Sequence, residues 1–282
     1  MDTRCLDYML GEAEREAFER DGYFIVENAL TPGQRERAEA AFDRLVDARR
    51  EEQQLGPGDR VAVHDFAGRD EALLELVDLP KTIARVFGLL GWNIQLYHSH
   101  LNLSPPEGPE KGHGFGWHQD SGRLNQELET DPQPRISLKV GFFLTDCSMP
   151  GRGNFFVVPG SQLQKTMVFP GGNHRCELPG GVPVLVPAGS AVFFDRRLWH
   201  STSANHWHSP RKVLFYGYSY RWLRPRDEVT LDERLNARMD PIRQQLFGAS
   251  PTGNYGYTSP EDVDVPLKGW IETHVSAEAA AV

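Results

Sequence analysis

The segment of greatest chemical interest is GWHQDSG, residues 116–122, which places a histidine and an aspartate two positions apart. Alternate residues of a strand project to the same face, so His118 and Asp120 can bind one metal ion together. Two histidines and one carboxylate on one face of an octahedron are the ligand set of non-haem Fe(II) oxygenases. A His-x-Asp pair alone is a weak signal in a chain with 10 histidines. The segment therefore predicts a metal site only if the chain supplies a third ligand.

His200 is the best candidate for that ligand, because it follows a turn and an apolar segment typical of a buried strand. Two alternatives exist, since His98 with His100 and His206 with His208 also form His-x-His pairs. Neither pair has a carboxylate at a matching spacing. We expect the first pair to share one face of a core strand and the second pair to lie in a surface loop.

Arg211 is a candidate for binding a carboxylate. It follows His200 by 11 residues and begins an apolar segment that is typical of a strand. An arginine that faces into a barrel can form a bidentate pair with a carboxylate. A dicarboxylate that chelates a metal at one end needs such a partner at its other end. A surface arginine at a strand end is the alternative, and the spacing from His200 favours the buried site.

The elements that must position these residues change in character after Gly91. Helical segments around one short strand, residues 23–26, precede it, and β-type segments broken by Gly and Pro follow it. The clearest β-type segments are residues 93–102, 136–144, 155–158, 183–186, 191–194 and 213–220. Many short strands with turn residues between them are typical of an antiparallel sandwich or barrel.

We therefore predict a mainly β fold with flanking α-helices. Residues 1–282 are expected to form one domain. Its parts would be a helical N-terminal part at residues 1–91, a β-core at 92–222, and a C-terminal helix and tail at 223–282. Within the last part, residues 231–247 are predicted as the helix.

Composition limits the partners and the compartment. The net charge of −9 argues against nucleic acid as the main partner. Cys5, Cys147 and Cys176 are far apart, which predicts reduced thiols rather than a disulfide framework or a zinc site. The chain shows no signal-peptide pattern and no apolar run of membrane length, so we expect a cytoplasmic protein with no membrane partner. The sequence does not predict the oligomeric state.

Taken together, the motifs resemble the phytanoyl-CoA dioxygenase family of Fe(II)/2-oxoglutarate enzymes. The resemblance covers most of the chain, from about residue 18 to residue 222. It rests on FERDGYFIV (18–26), WHQD (117–120), ISLKVGFFLTD (136–146), PGRGN (150–154), VPGS (158–161), WHS (199–201), Arg211 and YRW (220–222).

This resemblance implies a double-stranded β-helix, or jelly roll, as the core. It also implies His118, Asp120 and His200 as the iron ligands and Arg211 as the partner of the distal carboxylate of 2-oxoglutarate. Two further positions match the family. Thr202 matches a hydroxyl near that carboxylate, and Asn102 matches a residue that lines the cosubstrate pocket.

The reaction implied is oxidation of a substrate C–H bond by dioxygen, while 2-oxoglutarate is converted to succinate and carbon dioxide. Related halogenases carry a small residue in place of the carboxylate ligand, so Asp120 disfavours halogenation. Hydroxylation is the expected outcome. Desaturation and oxidative cyclisation remain open, because the three outcomes differ in substrate placement.

Substrate contacts are expected from loops around the mouth of the barrel. Residues 123–135 form a long polar segment that can act as a lid. The candidate substrate residues are Arg123, Arg135, Arg197 and Trp199, together with Lys139 and the loop at 206–208. Basic groups there suit a small or medium-sized organic molecule that carries an anionic group. Lys139 alternates with apolar residues, so exposure to solvent is the alternative for it.

Two other function classes are open on sequence grounds. The same three ligands could serve a non-redox metalloenzyme, in which Arg211 would need no dicarboxylate. The chain could also be a catalytically inactive β-sandwich that binds a ligand.

Overall fold

Antiparallel strands from both halves of the chain form the core of this computed structural model, which describes residues 1–108, 110 and 114–275. The strands are β1 (Tyr23–Val26), β2 (Val61–His64), β3 (Ile94–Ser104), β4 (Ser137–Phe143), β5 (Phe155–Val157), β6 (Val182–Val184), β7 (Ala191–Asp195), β8 (His200–Thr202) and β9 (Arg211–Tyr220). The described strands form a larger sheet in the order β1-β7-β4-β9-β3-β2 and a smaller sheet in the order β6-β5-β8.

The helices lie mainly before and after these strands. They are α1 (Glu12–Asp21), α2 (Pro32–Gln53), α3 (Glu71–Leu74), α4 (Pro80–Leu90), α5 (Gly122–Glu127), α6 (Glu233–Asn236), α7 (Pro241–Leu246) and α8 (Pro266–His274). None of the helices in the described residues is long and apolar enough to cross a membrane.

The two sheets pack face to face through aromatic and branched side chains. Phe155 of β5 lies with its ring centroid 5.0 Å from that of Phe194 on β7. Both belong to one buried cluster that also contains Val213 and Phe215 of β9. Two antiparallel sheets packed in this way form a jelly roll, which confirms the predicted fold class.

The opposite face of the larger sheet is covered by helices. Leu138 and Val140 of β4 join the same buried cluster as Phe42 of α2 and Ile83 of α4. The register therefore directs alternate residues of β4 into the space between the sheets. Both faces of this strand are buried, so a polar residue on it cannot reach solvent.

Local sequence signals account for the starts of two helices. The side chain of Thr31 accepts a hydrogen bond from the backbone of Gln34, and Pro32 lies in the first turn of α2. Pro80 begins α4, because its missing N–H is tolerated in the first turn of a helix.

The single helix predicted at residues 231–247 is wrong. Two short helices, α6 and α7, occupy this region. Asp240 caps the second one by accepting hydrogen bonds from the backbone of Ile242 and Arg243, and Pro241 follows the cap. The cap and the proline start a new helix, so the earlier one ends.

The β-core is not confined to residues 92–222. β1 and β2 come from the part of the chain before Gly91 and form the two edges of the larger sheet. β1 matches the predicted strand, whereas β2 was missed. Its four residues alternate buried and exposed, but four residues are too few to separate this pattern from a loop.

Candidate metal centre

His118 and His200 face each other across an isolated antiparallel bridge. The backbone N–H of each donates to the carbonyl of the other at 3.0 Å, and the ring centroids are 4.3 Å apart. Nδ1 of His118 lies 2.8 Å from the carbonyl of Gly116, and Nδ1 of His200 lies 2.8 Å from that of Leu198. Because carbonyls only accept, both Nδ1 atoms carry the proton and both Nε2 atoms are left for a metal.

Asp120 completes the group. Its backbone N–H donates to the carbonyl of Arg196 at 2.9 Å, and its Oδ1 accepts from Nζ of Lys139 at 2.7 Å. Its Oδ2 is buried without a hydrogen-bond partner among the described residues. One ligand atom from each of His118, Asp120 and His200 lies within 4.8 Å of the others. Two imidazole Nε2 atoms and one carboxylate oxygen without a partner match the donor set that Fe(II) takes in a facial triad.

The electrostatics of the three groups also suit a cation. Burial, and then the neighbouring His118, lowers the pKa of His200 to about 3, so this ring is neutral. Burial alone would raise the pKa of Asp120. The charge of Lys139 opposes that effect and holds the pKa below its usual range, so the carboxylate is ionised.

The alternative histidine pairs lie elsewhere. His98 and His100 stack on one face of β3 with ring centroids 4.8 Å apart. Within the described residues, neither histidine lies in a group of three side chains that could hold a metal ion. In the loop at 206–208, Nδ1 of His206 contacts the carbonyl of Glu107, and the guanidinium of Arg152 lies over the ring of Trp207.

Arg211 begins β9 on the face that points between the sheets. It is 2% exposed, and its guanidinium carbon lies 5.3 Å from the ring centroid of Phe143. Its Nε and Nη2 are buried with no hydrogen-bond partner in the described part of the chain. Burial lowers the pKa of Arg211, yet a guanidinium stays protonated in proteins. A buried cation without a partner is costly, so this position suits an anionic ligand.

A central cavity of about 360 Å³ joins the three candidate ligands to the inner face of β9. His118, Asp120, His200, Asn102, Thr202 and Phe215 are among the residues in its wall. Arg211 is not in the wall; it lies four residues before Phe215 on the same face of β9. Gly141 of β4 leaves room for the Phe215 ring, since a Cβ there would come within 2.8 Å of it.

Two further cavities meet the central one on either side of α5. A cationic cavity of about 430 Å³ shares Asp120 and Lys139 with it and is also lined by Arg224 and Arg226. An aromatic cavity of about 410 Å³ shares His118 and Gln119 with it. Gly122, the first residue of α5, lines both outer cavities.

The predicted substrate residues divide into two groups. Trp199 lines the aromatic cavity and Arg123 lines the cationic cavity. The guanidinium groups of Arg135 and Arg197 instead both contact the buried carboxylate of Asp195. Neither lines any of the three cavities. Their contacts favour a role in holding the end of β7.

The two residues that flank the ligands in the 117–120 motif anchor the segment. Trp117 is buried, and its Nε1 donates to the carbonyl of Cys176 at 2.9 Å. The side-chain amide of Gln119 donates to the carbonyls of Gln164 and Arg197. Both residues also form part of the wall of the aromatic cavity. They therefore contribute to packing and to the cavity surface together.

Exposure of Lys139 to solvent, the alternative left open by the sequence, is wrong. It is 3% exposed and contacts Asp120. Lys139 does alternate with apolar residues, as predicted. However, its side of β4 faces the space between the sheets, and helices cover the opposite side, so neither side faces solvent. Arg226 was missed, since nothing in its local sequence separates it from the neighbouring charged residues.

A jelly roll that holds two histidines, a carboxylate and a buried arginine between its sheets defines the class of non-haem Fe(II)/2-oxoglutarate oxygenases. Residues 18–213 match phytanoyl-CoA dioxygenase (PhyH), and the chain belongs to this family.

Known relatives agree with this assignment. The chain is 30% identical over 233 residues to the ectoine dioxygenase of Nocardia farcinica, which covers 70% of this chain and 74% of that protein. Among solved structures, EctD from S. alaskensis with 2-oxoglutarate and 5-hydroxyectoine has a TM-score of 0.60 at 20% identity, covering 79% of this chain and 81% of that one. HygX from Streptomyces hygroscopicus with nickel and 2-oxoglutarate has a TM-score of 0.61 at 15% identity, covering 79% and 96%. These two structures share the fold.

The chain is therefore a non-haem Fe(II)/2-oxoglutarate-dependent dioxygenase that acts on a small organic molecule. The alternatives of a non-redox metalloenzyme and of an inactive binding protein are not favoured, because the relatives are dioxygenases.

Proposed function

We propose that His118 and His200 bind Fe(II) through Nε2 and that Asp120 binds it through Oδ2. The observation that supports this most strongly is the pattern of contacts on the other atoms of these groups. Each histidine Nδ1 is held by a carbonyl, and Oδ1 of Asp120 is held by Lys139. Bound Fe(II) supplies the activation of dioxygen that is coupled to decarboxylation of 2-oxoglutarate.

We propose further that Arg211 binds the distal carboxylate of 2-oxoglutarate. Nε and Nη2 of Arg211 form a planar donor pair that matches a carboxylate, and both lack a partner in the residues described. Thr202 and Asn102 line the cavity on the way to the metal centre, so their side chains are proposed to contact the same cosubstrate.

Three phenylalanine side chains form an apolar part of this region. Phe155, Phe194 and Phe215 are all in the wall of the central cavity and are buried. Apolar surface of this kind lowers the local dielectric constant, which strengthens the contact between a guanidinium and a carboxylate. It also limits the approach of solvent to the reacting groups.

Hydroxylation is the proposed outcome. One oxygen atom of dioxygen enters succinate as 2-oxoglutarate loses carbon dioxide, and the other converts a substrate C–H into C–OH. The cavity volumes of about 360 to 430 Å³ suit a small metabolite. Ectoine is the first compound to test, because the relative from Nocardia farcinica is an ectoine dioxygenase. Residues 1–282 are proposed to form one oxygenase domain.

The site assignment is tested by adding Fe(II) and 2-oxoglutarate to the protein without oxygen and recording the weak visible charge-transfer band of the complex. His118→Ala should abolish the band. Arg211→Gln should keep iron binding but require a much higher 2-oxoglutarate concentration to reach the same band. His274→Ala and Arg238→Gln are matched controls, since both residues lie on the surface away from the cavities. Wild-type protein that contains iron but shows no band would contradict the assignment.

A further inference from the structure

The cationic cavity carries positive charge that the chain does not neutralise. Lys139 pairs with Asp120, and Arg123 pairs with Glu127. Arg224 and Arg226 also line this cavity, and within residues 1–108, 110 and 114–275 neither is within ion-pair distance of a carboxylate. Many other arginines of the chain, such as Arg60 and Arg243, have an acidic partner. This wall of the cavity therefore favours an anion.

Of the two arginines without an acidic partner among the described residues, Arg226 is the one that lines the central cavity. It lines the central cavity as well as the cationic one, whereas Arg224 lines only the second of these two. Its Nη1 lies 3.3 Å from Nε2 of His98. An anion held by Arg226 would thus lie where the two cavities join, next to the face of the metal site that Asp120 occupies.

A network of hydrogen bonds fixes Arg226 in this position. Nδ1 of His98 lies 2.8 Å from Oδ1 of Asp227, and Oδ2 of Asp227 accepts from the backbone of Ser99 at 2.7 Å. The carboxylate can only accept, so Nδ1 of His98 carries the proton and its Nε2 accepts from Arg226. The backbone N–H of Arg226 also donates to the carbonyl of Tyr97 at 2.8 Å.

The backbone of β3 provides the acceptor for this last contact. The pairing of β3 with β9 shifts between Leu96 and His98, so Tyr97 lies at a bulge. A bulged residue leaves the ladder and is free to bond elsewhere. The carbonyl of Tyr97 accepts from both Arg226 and Asp227. The guanidinium is therefore positioned before any ligand binds, which lowers the entropic cost of binding.

This anion site is separate from the one proposed for 2-oxoglutarate. Arg211 is the first residue of β9, and Arg226 follows the end of that strand. His98 pairs with Gly217, so about 20 Å of strand separates the level of His98 from the backbone of Arg211. The two arginines therefore lie at different levels of the barrel.

We propose that Arg226 binds a carboxylate of the substrate and thereby orients the substrate at the metal centre. The proposal rests on the proposed function, because it places the substrate beside the candidate iron site. Arg226 is a residue for substrate recognition, and Asp227 and His98 are its positioning residues.

The test uses wild-type enzyme with Fe(II) and 2-oxoglutarate and a panel of small carboxylic acids, each paired with its primary amide and including ectoine and its carboxamide. Binding is measured by calorimetry without oxygen, and turnover as succinate formed above the rate without substrate. At least one acid should bind more tightly than its amide. Arg226→Gln should weaken that acid by about tenfold to 100-fold and leave its amide unchanged. Arg226→Lys should recover part of the loss.

Arg238→Gln is the matched control, and it should bind the acid as wild type does. Arg226→Gln should also keep the far-UV circular dichroism spectrum and the thermal unfolding midpoint of wild type, which shows that the variant is folded. Equal binding of every acid and its amide, no binding by any acid, or unchanged acid binding in Arg226→Gln would each overturn the proposal. Loss of the band in wild type would instead contradict the proposed iron and cosubstrate site, so the two failures are distinct.

Discussion

Lys139 contacts the carboxylate proposed to bind iron and is almost completely buried. Its ammonium donates to Oδ1 of Asp120, whereas Oδ2 has no hydrogen-bond partner among the described residues. The contact restricts rotation of the carboxylate and favours one oxygen as the ligand. Groups that hydrogen-bond to a metal-binding side chain contribute substantially to the affinity of the site for the metal.

Replacing Lys139 by methionine should weaken Fe(II) binding by about tenfold to 100-fold while keeping the fold. Methionine fills similar space without the donor. The measurement is an anaerobic Fe(II) titration that monitors the visible band with saturating 2-oxoglutarate. Lys212→Met is a matched control, because Lys212 also bonds two carboxylates, Glu39 and Asp43, but outside the cavities. Equal iron affinity in the Lys139 variant and wild type would show that the contact does not support the metal.

The candidate ligands were predictable from sequence because the residue types and their spacing in the local motif indicate metal binding. His118 and Asp120 are two residues apart, and a strand-like segment precedes His200. Lys139 and Arg226 were not predictable in the same way. Their roles depend on which face of β4 the helices cover and on a bulge at Tyr97, and neither feature has a local sequence signal.

At the scale of elements, the end of β7 connects the metal-binding segment to the N-terminal part of the chain. The buried carboxylate of Asp195 contacts Arg197 and Arg135, and Arg135 also pairs with Glu19. The backbone of Asp195 donates to the carbonyl of Gly22, just before β1. The sequence predicted that the two arginines bind substrate. An arginine in a loop near a motif has the same local sequence whether it binds substrate or forms a structural ion pair.

Asp195→Asn should lower the free energy of unfolding by about 3–5 kcal/mol, because it leaves the buried guanidinium of Arg197 without its anion and leaves Arg135 with Glu19 alone. Urea denaturation of the protein without ligands measures the loss. Asp232→Asn removes the partner of Arg234 in an exposed pair and should change stability far less. Equal losses in the two variants would mean that the Asp195 contacts are not structural.

The sequence pattern predicted the long strands but not the shortest ones. The long segments that became β3, β4 and β9 were located to within one or two residues. The three-residue strand β8 was missed as a strand, even though it contains His200 and Thr202. A strand of this length has no periodicity, and it is defined by pairing with β5 and by the bridge to His118.

At the scale of the whole molecule, the space between the sheets contains groups that lack a partner within the described chain. Oδ2 of Asp120 and two nitrogens of Arg211 are buried without a hydrogen-bond partner among the described residues. A metal and a dicarboxylate would satisfy both sets at once, so the folded protein should bind them far better than the unfolded chain does. Ligand binding and folding stability are therefore linked.

Fe(II) and 2-oxoglutarate, each at about 100 times its dissociation constant, should together stabilise the folded state by about 5 kcal/mol. For a chain of 282 residues this corresponds to a rise in Tm of about 5–10 °C. Anaerobic calorimetric scans with and without the two ligands measure the shift. His200→Ala should remove it, because one proposed ligand of the metal is lost, and His274→Ala should keep it. A rise in Tm that persists in His200→Ala would mean that the stabilising ligands bind elsewhere on the protein.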